Sequence, residues 1–376
     1  MGGHASRIGA PVAADRYSRT LAPVSSLDAA DLRVRVQQHL DGVLAAHLPA
    51  LGEISPDLLP LLAALRDLLA GGKRLRPAFC YWGWRGAGQP DCDQVVAAAA
   101  SLELLHACAL LHDDVMDGSD TRRGQPAAHR RFAALHDRQA WQGSADRFGV
   151  GAAILLGDLC LSWADEVLLG CGLPGARLAA AKRVYDTMRT ELMAGQYLDL
   201  LEQARCTATV EGASRVMRFK TAKYTVERPL HLGAALAGGS AALLTAYSEY
   251  GLPLGEAFQL RDDVLGVFGD PQRTGKPAGD DLREGKQTML VAFALAAADA
   301  RQASRLQQLL GDPGLSDAGV DSARELIVAT GALDLVERRI AQLADRAVAA
   351  LETGPVAAES AAALRELAAV ATVRVG

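Results

Sequence analysis

The sequence predicts an all-α protein built as one large helical bundle, and three observations carry that reading. Half of the 376 residues are hydrophobic but only 5% are aromatic, so the core must come mainly from Ala, Leu and Val, a composition that favours helix over strand. Apolar residues recur three and four positions apart in one segment after another. No run alternates apolar and polar residues for long enough to make a convincing strand. The totals also exclude partners: a net charge of −5 argues against nucleic acid or an anionic membrane surface. Six scattered cysteines (Cys80, Cys92, Cys108, Cys160, Cys171, Cys206) form no C-x-x-C pair and fit reduced thiols in a cytoplasmic protein. No basic-then-apolar secretory signal opens the sequence. Residues 230–248 are uncharged over the length of a membrane span, but His231, Gly233, Gly238, Gly239 and Ser240 interrupt them. A buried pair of core helices is expected there, and no membrane span.

Residues 1–27 mix Gly, Ala, Pro, Ser and Arg without periodicity and read as a flexible tail; residues 28–376 read as a single helical domain. A first amphipathic helix is predicted over 32–51, ending near Gly52. Pro56 opens a second, with Leu58, Leu62, Leu65 and Leu69 on one side. Gly71 and Gly72 end it, and Lys73, Arg74 and Arg76 place three cations before the next helix, which has Pro77 in its first turn. The free backbone N–H groups and positive dipole end of such a start attract anions. Tyr81, Trp82 and Trp84 read as core or subunit packing. Residues 93–111 form a long Ala-rich helix, followed by helices over 151–169, 176–201, 210–222 and 230–250. Beyond residue 288 the chain is a series of Ala/Leu helices with charged ends and no recognisable chemistry.

The chemistry centres on HDDVMDGSDTRRGQP, residues 112–126. If the helix over 93–111 continues through it, Asp113 and Asp117 share a face with their Cβ atoms roughly 5–6 Å apart. Two carboxylates so placed repel unless a cation lies between them, and Mg²⁺, held by one or two carboxylates plus substrate phosphates, suits the gap. Arg122 and Arg123 follow with planar forks that match phosphate oxygens. His106, two turns before Asp113, faces the same way. A second acidic pair, Asp262 and Asp263, ends another apolar helix, with Gln259 just before it and Lys276 and Lys286 after it. In an antiparallel bundle two such helix ends can face each other across a cavity. The acids would hold Mg²⁺ bridging a diphosphate, and the apolar helix below would wall a greasy tunnel. A diphosphate head with a hydrocarbon tail fits. No glycine phosphate loop or dinucleotide fingerprint supports an ATPase or dehydrogenase.

The segments GGKRLRP, ELLHACALLHDDVMD, RRGQP, FKTA, FQLRDD and TGKPAGDD resemble, in order and spacing, the trans-polyprenyl synthetases (trans-isoprenyl diphosphate synthases), among them bacterial geranylgeranyl diphosphate synthases. The resemblance runs from about residue 32 to the C-terminus. It implies an isoprenoid synthase-type helical bundle around a central cavity, assembled as a homodimer. The implied reaction is head-to-tail condensation of isopentenyl diphosphate with an allylic prenyl diphosphate. On that resemblance Asp113 and Asp117 ligate two Mg²⁺ ions with Asp114 in support, and Asp262 ligates a third with Asp263 behind it; Mn²⁺ can substitute. Arg122, Lys220 and Lys276 hold the allylic diphosphate, and Lys73, Arg76, His106 and Arg123 hold that of isopentenyl diphosphate. Thr221 and Gln259 face the reacting carbon, and Lys286 helps close the diphosphate site. Leaving diphosphate is stabilised by metal and cations, the allylic cation survives in a dry pocket, and no Ser, Cys or His nucleophile is needed.

One position departs from the resemblance. The second motif usually reads D-D-x-x-D, but here it is Asp262-Asp263-Val264-Leu265-Gly266; Asp270, one turn on, could replace the lost acid if the helix persists. The pattern also faintly resembles class I terpene cyclases, but Lys73, Arg76 and Arg123 form a second diphosphate site for which a cyclase has no use. An inactive regulatory subunit is disfavoured because the acids and the Lys/Arg set are kept. Ala109 and Cys108, four and five residues before Asp113, are small, and Leu105 lies one turn deeper as a floor. This favours a C20 product, geranylgeranyl diphosphate, over a C15 farnesyl product, with longer chains if Ile154 and Leu155 form the floor instead.

Overall fold

The computed structural model of the chain describes residues 31–206, 208–270, 279–312 and 314–373. The expected tail over 1–27 and Lys276 lie outside these residues. Helix α1 (Leu32–Ile54) leads through a short 3₁₀ turn into α2 (Leu59–Leu69), then α3 (Leu75–Gly86) and α4 (Asp93–Asp117). After a two-residue hairpin come α5 (Ala128–Arg138), α6 (Ala145–Leu169), α7 (Gly175–Arg205) and α8 (Val210–Val216). A π-helical segment, Met217–Glu227, follows, and then α9 (Arg228–Ala237) and α10 (Ala241–Phe268). The single turn α11 (Asp280–Arg283) precedes α12 (Met289–Ala297), α13 (Ala300–Leu309), α14 (Asp317–Ala329), α15 (Ala332–Thr353) and α16 (Ala358–Val373).

Helix α4 runs straight through the first acidic motif and stops because Gly118 turns left-handed (φ 67°), its N–H bonding back to the Asp114 carbonyl. The only strands among the described residues, Thr121–Arg122 and Gln125–Pro126, close on Arg123 and Gly124, both at positive φ as a tight hairpin turn requires. Helix α6 starts six residues earlier than the pattern suggested, because the Ser144 hydroxyl accepts the Arg147 N–H and caps it. The span over 230–250 is two helices, as the core pair expected for 230–248 requires and unlike the single run drawn over 230–250. Gly238 (φ 74°) ends α9, and Ser240 caps α10, which then carries on past Pro253 to Phe268. The segment that looked membrane-length is therefore the buried helix pair: Leu230, Leu232, Leu236, Leu243 and Tyr247 are all buried. Helix α4 is itself long and apolar enough to cross a bilayer, and most of its apolar window is buried inside the bundle. Tyr81, Trp82 and Trp84 are core residues.

The apolar faces form two cores. The larger packs α1 to α4, α6, α7, α9 and α16 around Phe79, Tyr81, Leu102, Leu104, Leu156 and Tyr185. The smaller gathers α12 to α15 around Leu290, Val320, Ile327 and Val336. Helix α10 joins them, giving Tyr247, Tyr250 and Leu254 to the first and Leu260, Val264 and Val267 to the second.

The π-helical segment has a packing cause. It is wedged between Gly195 of α7 on one side and Gly251 and Gly255 of α10 on the other. A Cβ at Gly195 would lie 2.4 Å from the backbone nitrogen of Lys220, and one at Gly255 would lie 2.4 Å from the Cα of Ala222. The glycines let both neighbouring helices touch this backbone directly, which sets where Lys220 and Thr221 stand.

Candidate active site

A cavity of about 1240 Å³ opens between α4, α7, the π segment and α10. Its wall includes Lys73, Arg76, His106, Ala109, Asp113, Arg122, Arg123, Lys220, Thr221, Gln259, Asp262, Asp263 and Lys286, so the structure gathers most of the expected residues around one space.

On the α4 bank every acid is paired. Asp113 Oδ1 accepts from Lys220 Nζ (3.1 Å) and from Gln196 Nε2 (2.9 Å), while Lys220 also reaches Asp199 Oδ2 at 2.6 Å. Asp114 accepts from Arg122 Nε at 2.8 Å. Burial works against a charge on Asp113, but Lys220, Lys286 and Arg122 outweigh it and hold the carboxyl far below its usual range. Asp117 Oδ2 pairs with Lys286 Nζ at 3.0 Å, and both of its oxygens are buried. Burial, with the Asp113 charge beside it, pushes the Asp117 carboxyl up. An acid so placed gains most from a cation that brings its own ligands. Among the described residues no three Asp, Glu, His or Cys side chains converge on a ready-made metal cage. That is the expected state for Mg²⁺, which binds through one or two carboxylates and takes its remaining ligands from phosphate and water.

Opposite, on α10, Asp263 faces inward. Its oxygens accept from Gln259 Nε2 (2.8 Å) and from the Met289 N–H at the start of α12 (3.1 Å), and burial, with Asp281 and Asp262 nearby, raises it to about 7. Asp263 therefore ties α10 to α12 and orients Gln259, whose Oε1 in turn accepts from the Thr221 hydroxyl at 2.5 Å. Asp262 lies on the cavity wall. The helix ends at Phe268 and Gly269 is already extended, so Asp270 does not share the helical face of Asp262, but it lines the same cavity from the residues that follow. At Gly266 the space for a side chain is filled instead by the Asp281 carboxylate.

The basic end is organised by Arg123 and Arg76. Arg123 donates from Nη1 to the Leu68 and Gly71 carbonyls (2.9 Å each), and its guanidinium lies against Gly72, where a Cβ would be 3.1 Å from Nη2. Arg76 stacks over the Tyr224 ring at 4.3 Å and donates to Thr225 Oγ1. His106 is enclosed beside them with Nδ1 3.4 Å from the Tyr224 hydroxyl. Burial, then the charges of Arg76, Arg123 and Arg122, lower it well below an ordinary histidine. It is therefore a neutral hydrogen-bonding imidazole, not a fourth cation. Arg74 is taken up in a buried ion pair with Glu103 at the edge of the same cavity.

The tail end differs in detail from expectation. Ala109 lines the cavity, whereas Leu105 and Cys108 are buried without reaching its wall, and Cys108 turns toward His112. Ile154 and Leu155 sit on the outer surface and form no floor in this chain. Sequence reasoning missed Gln196, Asp199 and Tyr224, and gave no role to Asp281, the last residue of the TGKPAGDD segment. A polar pair three apart beside Gly195, inside an otherwise continuous helix, was the available signal for the first two.

The polyprenyl synthetase family model matches residues 60–327. The crystal structure of a geranylgeranyl pyrophosphate synthase from Corynebacterium glutamicum, complexed with isoprenyl diphosphate and magnesium, superposes with a TM-score of 0.87; it is 42% identical, covering 94% of this chain and 99% of that one. A geranylfarnesyl diphosphate synthase of Aeropyrum pernix is 34% identical over 298 residues, 78% of this chain and 87% of its own. A (2E,6E)-farnesyl diphosphate synthase of Mycobacterium bovis is 34% identical over 263 residues, 69% of this chain and 68% of its own. These relatives share chain elongation and differ in product length. Two facing acidic helix ends, the cations between them and the family match lead to one conclusion: the chain belongs to the polyprenyl synthetase family and is a prenyltransferase that elongates prenyl diphosphates.

Proposed function

We propose that the chain condenses isopentenyl diphosphate with allylic primers up to C15, giving all-trans geranylgeranyl diphosphate, a C20 product. The observation that carries this reading is the cavity wall. Ala109, four residues before Asp113, lies on that wall and leaves room beneath the acids; Leu105, one turn deeper and buried behind the wall, is the bulky side chain we take to stop a tail that grows past Ala109. The solved relative bound to isoprenyl diphosphate and magnesium supports both the ligand class and the metal.

Asp113, Asp117 and Asp262 would hold Mg²⁺, in a cluster we take to be three ions, with Asp114 and Asp263 fixing the acids around them. The metal, when bound, supplies Lewis-acid stabilisation of the departing diphosphate. Lys220, Arg122, Lys286 and Lys276 hold that diphosphate, and Lys73, Arg76, Arg123 and the His106 imidazole hold the second. The buried ammonium of Lys220, kept charged against its burial by Asp113 and Asp199, is preorganised for charge that develops as the carbon–oxygen bond breaks. Thr221 and Gln259 present oxygen atoms to the allylic cation, and the apolar wall (Leu192, Phe258, Met217) keeps water from it. The proton released after carbon–carbon bond formation passes to the departed diphosphate, since among the described residues the one imidazole on the cavity wall, His106, sits at the other diphosphate.

A cytoplasmic homodimer is part of the same reading. Leu155 (62% exposed) on α6 and Tyr197 (65%) and Met193 (52%) on α7 are large apolar side chains that a second copy would cover. The test is incubation of the purified protein with labelled isopentenyl diphosphate, Mg²⁺ and C5, C10 or C15 primers. Products ending at C20 are expected. Products ending at C15 or C25 would refute the length assignment, and primer-dependent hydrocarbon without incorporation would refute elongation altogether.

A further inference from the structure

The π segment that presents Lys220 and Thr221 is held by more than the glycines beside it. Glu191, Gly195 and Asp199 stand four apart on α7, so they share one stripe, and that stripe faces the π segment. At one end Asp199 pairs with Lys220 at 2.6 Å; at the other Glu191 pairs with Lys223 at 3.0 Å. Glu191 is itself gripped by Arg228, the first residue of α9, whose Nε and Nη2 donate to its two oxygens at 2.7 Å each. Lys223 also donates to Glu227 Oε2 (3.1 Å), and Glu227 Oε1 accepts from the Ser248 hydroxyl of α10 at 2.8 Å. Arg228 Nη1 donates to His231 Nδ1 at 3.2 Å, which leaves His231 Nε2 to donate to the Leu244 carbonyl at 3.0 Å.

Two carboxylates thus face two cations, and the quartet is neutral. Burial opposes the charge on Glu191, but Arg228 and Lys223 outweigh it and keep the carboxyl below its usual range. None of Glu191, Lys223, Glu227 and Arg228 lines the cavity, so their effect on the reaction passes through the backbone they hold. That backbone needs holding. A π helix is a rare winding that ordinarily lasts a single turn, yet this one runs for 11 residues. The contact at Gly195 lets the segment lie close to α7 but does not stop it sliding or rewinding. The ion pairs at the two ends do, because a shift of one residue carries Lys223 off Glu191 and leaves enclosed charges unpaired.

We infer that Glu191 and Lys223 are positioning residues for chain elongation: their ion pair, braced by Arg228 and Glu227, fixes the register of the π segment and so holds Lys220 at the diphosphate. The inference rests on the proposed role of Lys220 there.

The experiment measures steady-state kinetics with a C15 primer and isopentenyl diphosphate, with melting temperature in parallel, for wild type, Lys223→Met, Lys223→Arg, Glu191→Gln, Arg189→Gln and Lys220→Ala. Lys223→Met keeps the length and removes the charge, and should lower turnover by about 10–100-fold, the scale for a positioned group displaced by up to about 1 Å. The loss should fall on kcat rather than on KM for the primer, because Lys220 acts on charge that develops as the bond breaks. Glu191→Gln should do the same; it keeps two hydrogen-bonding atoms and carries the test if Lys223→Met does not fold. Lys223→Arg restores the charge and should stay within about threefold of wild type, about 0.7 kcal/mol of barrier. Arg189 is the control: two residues before Glu191 and similarly enclosed (19% against 17% side-chain exposure), it pairs with Asp165 at 2.6 Å, away from the π segment, and Arg189→Gln should keep wild-type kcat. Wild-type kcat in Lys223→Met or Glu191→Gln overturns the inference. So does a Lys223→Arg protein no faster than Lys223→Met, or a loss in Arg189→Gln equal to that in Glu191→Gln. Wild-type kcat in Lys220→Ala would instead bring down the role of Lys220, and the inference with it.

Discussion

Gly195→Ala is the sharpest perturbation the fold offers, because one methyl group meets only backbone. Its Cβ would stand 2.4 Å from the Lys220 nitrogen, 2.8 Å from the Lys220 Cα and 2.8 Å from the Phe219 carbonyl carbon. Carbon–backbone contacts settle near 3.5 Å, so α7 and the π segment must part by about 1 Å. The obstacle has no rotamer to change, and Gly255 pins the segment from behind. Overpacking of this kind costs roughly 1–3 kcal/mol, a fall of several degrees in melting temperature at the 2–4 °C per kcal/mol typical of larger domains. Activity should suffer more. Lys220 and Thr221 ride on the displaced backbone, and about 1 Å of misplacement in a positioned catalytic group costs on the order of 10²-fold. Steady-state kinetics with a C15 primer, alongside calorimetric melting, measures both. Gly151→Ala, a helical position with nothing within 4 Å of the added methyl, is the control and should stabilise slightly. A Gly195→Ala protein with wild-type kcat/KM would refute the claim that these glycines set the catalytic register.

Other outcomes follow from the same geometry. Ala109→Phe should shorten the product to C15 and Leu105→Ala should lengthen it beyond C20, both read by chromatography of the dephosphorylated prenols; unchanged products from both would remove α4 as the floor. Asp113→Asn leaves Lys220 and Gln196 facing a neutral amide and should lower kcat/KM by at least about 10²-fold, the scale for losing one preorganised electrostatic contact; retention of activity would place the chemistry elsewhere. Asp263 is raised to about 7, so in metal-free protein it keeps its proton between pH 4 and 7 while the unfolded chain has lost it. Its contribution therefore declines as pH rises across that window, by about 1.4 kcal/mol per unit, and levels off above 7. Comparing urea midpoints of wild type and Asp263→Asn from pH 4 to 8 isolates this slope from the opposing one of His106; parallel curves would contradict it.

Much of the fold was legible because helix signals are local. The apolar run leading into the first acids and the break before Lys73 announce themselves in neighbouring residues. The π segment did not, since FKTAKYT has ordinary helical spacing and its widened turns are imposed by Gly195, Gly251 and Gly255 from elsewhere in the chain. The split between α9 and α10 was carried by Gly238 and Ser240, visible residues whose capping role outweighs the apolar pattern around them. In the site, the acids and basic residues were readable as pairs on helix ends. The place of Asp281 against Gly266 was not, because it lies in a contact across α10 and α11, and a glycine's absence of side chain says nothing about what fills the space. His106 was read as a phosphate ligand without its charge state, which only enclosure among arginines reveals.

The ion pairs lining the cavity have a further consequence for the order of events. A lone divalent ion would meet Asp113 and Asp114 already neutralised by Lys220 and Arg122, and a lone diphosphate would find those cations already occupied by carboxylates. Each guest must break the same internal bonds. On the proposed function, binding of both together would let the carboxylates turn to the metal while the ammonium and guanidinium groups turn to phosphate, so the breakage would be shared. Metal and diphosphate would then be thermodynamically coupled through the protein's own salt bridges, and by reciprocity each would tighten the other's binding to the same degree.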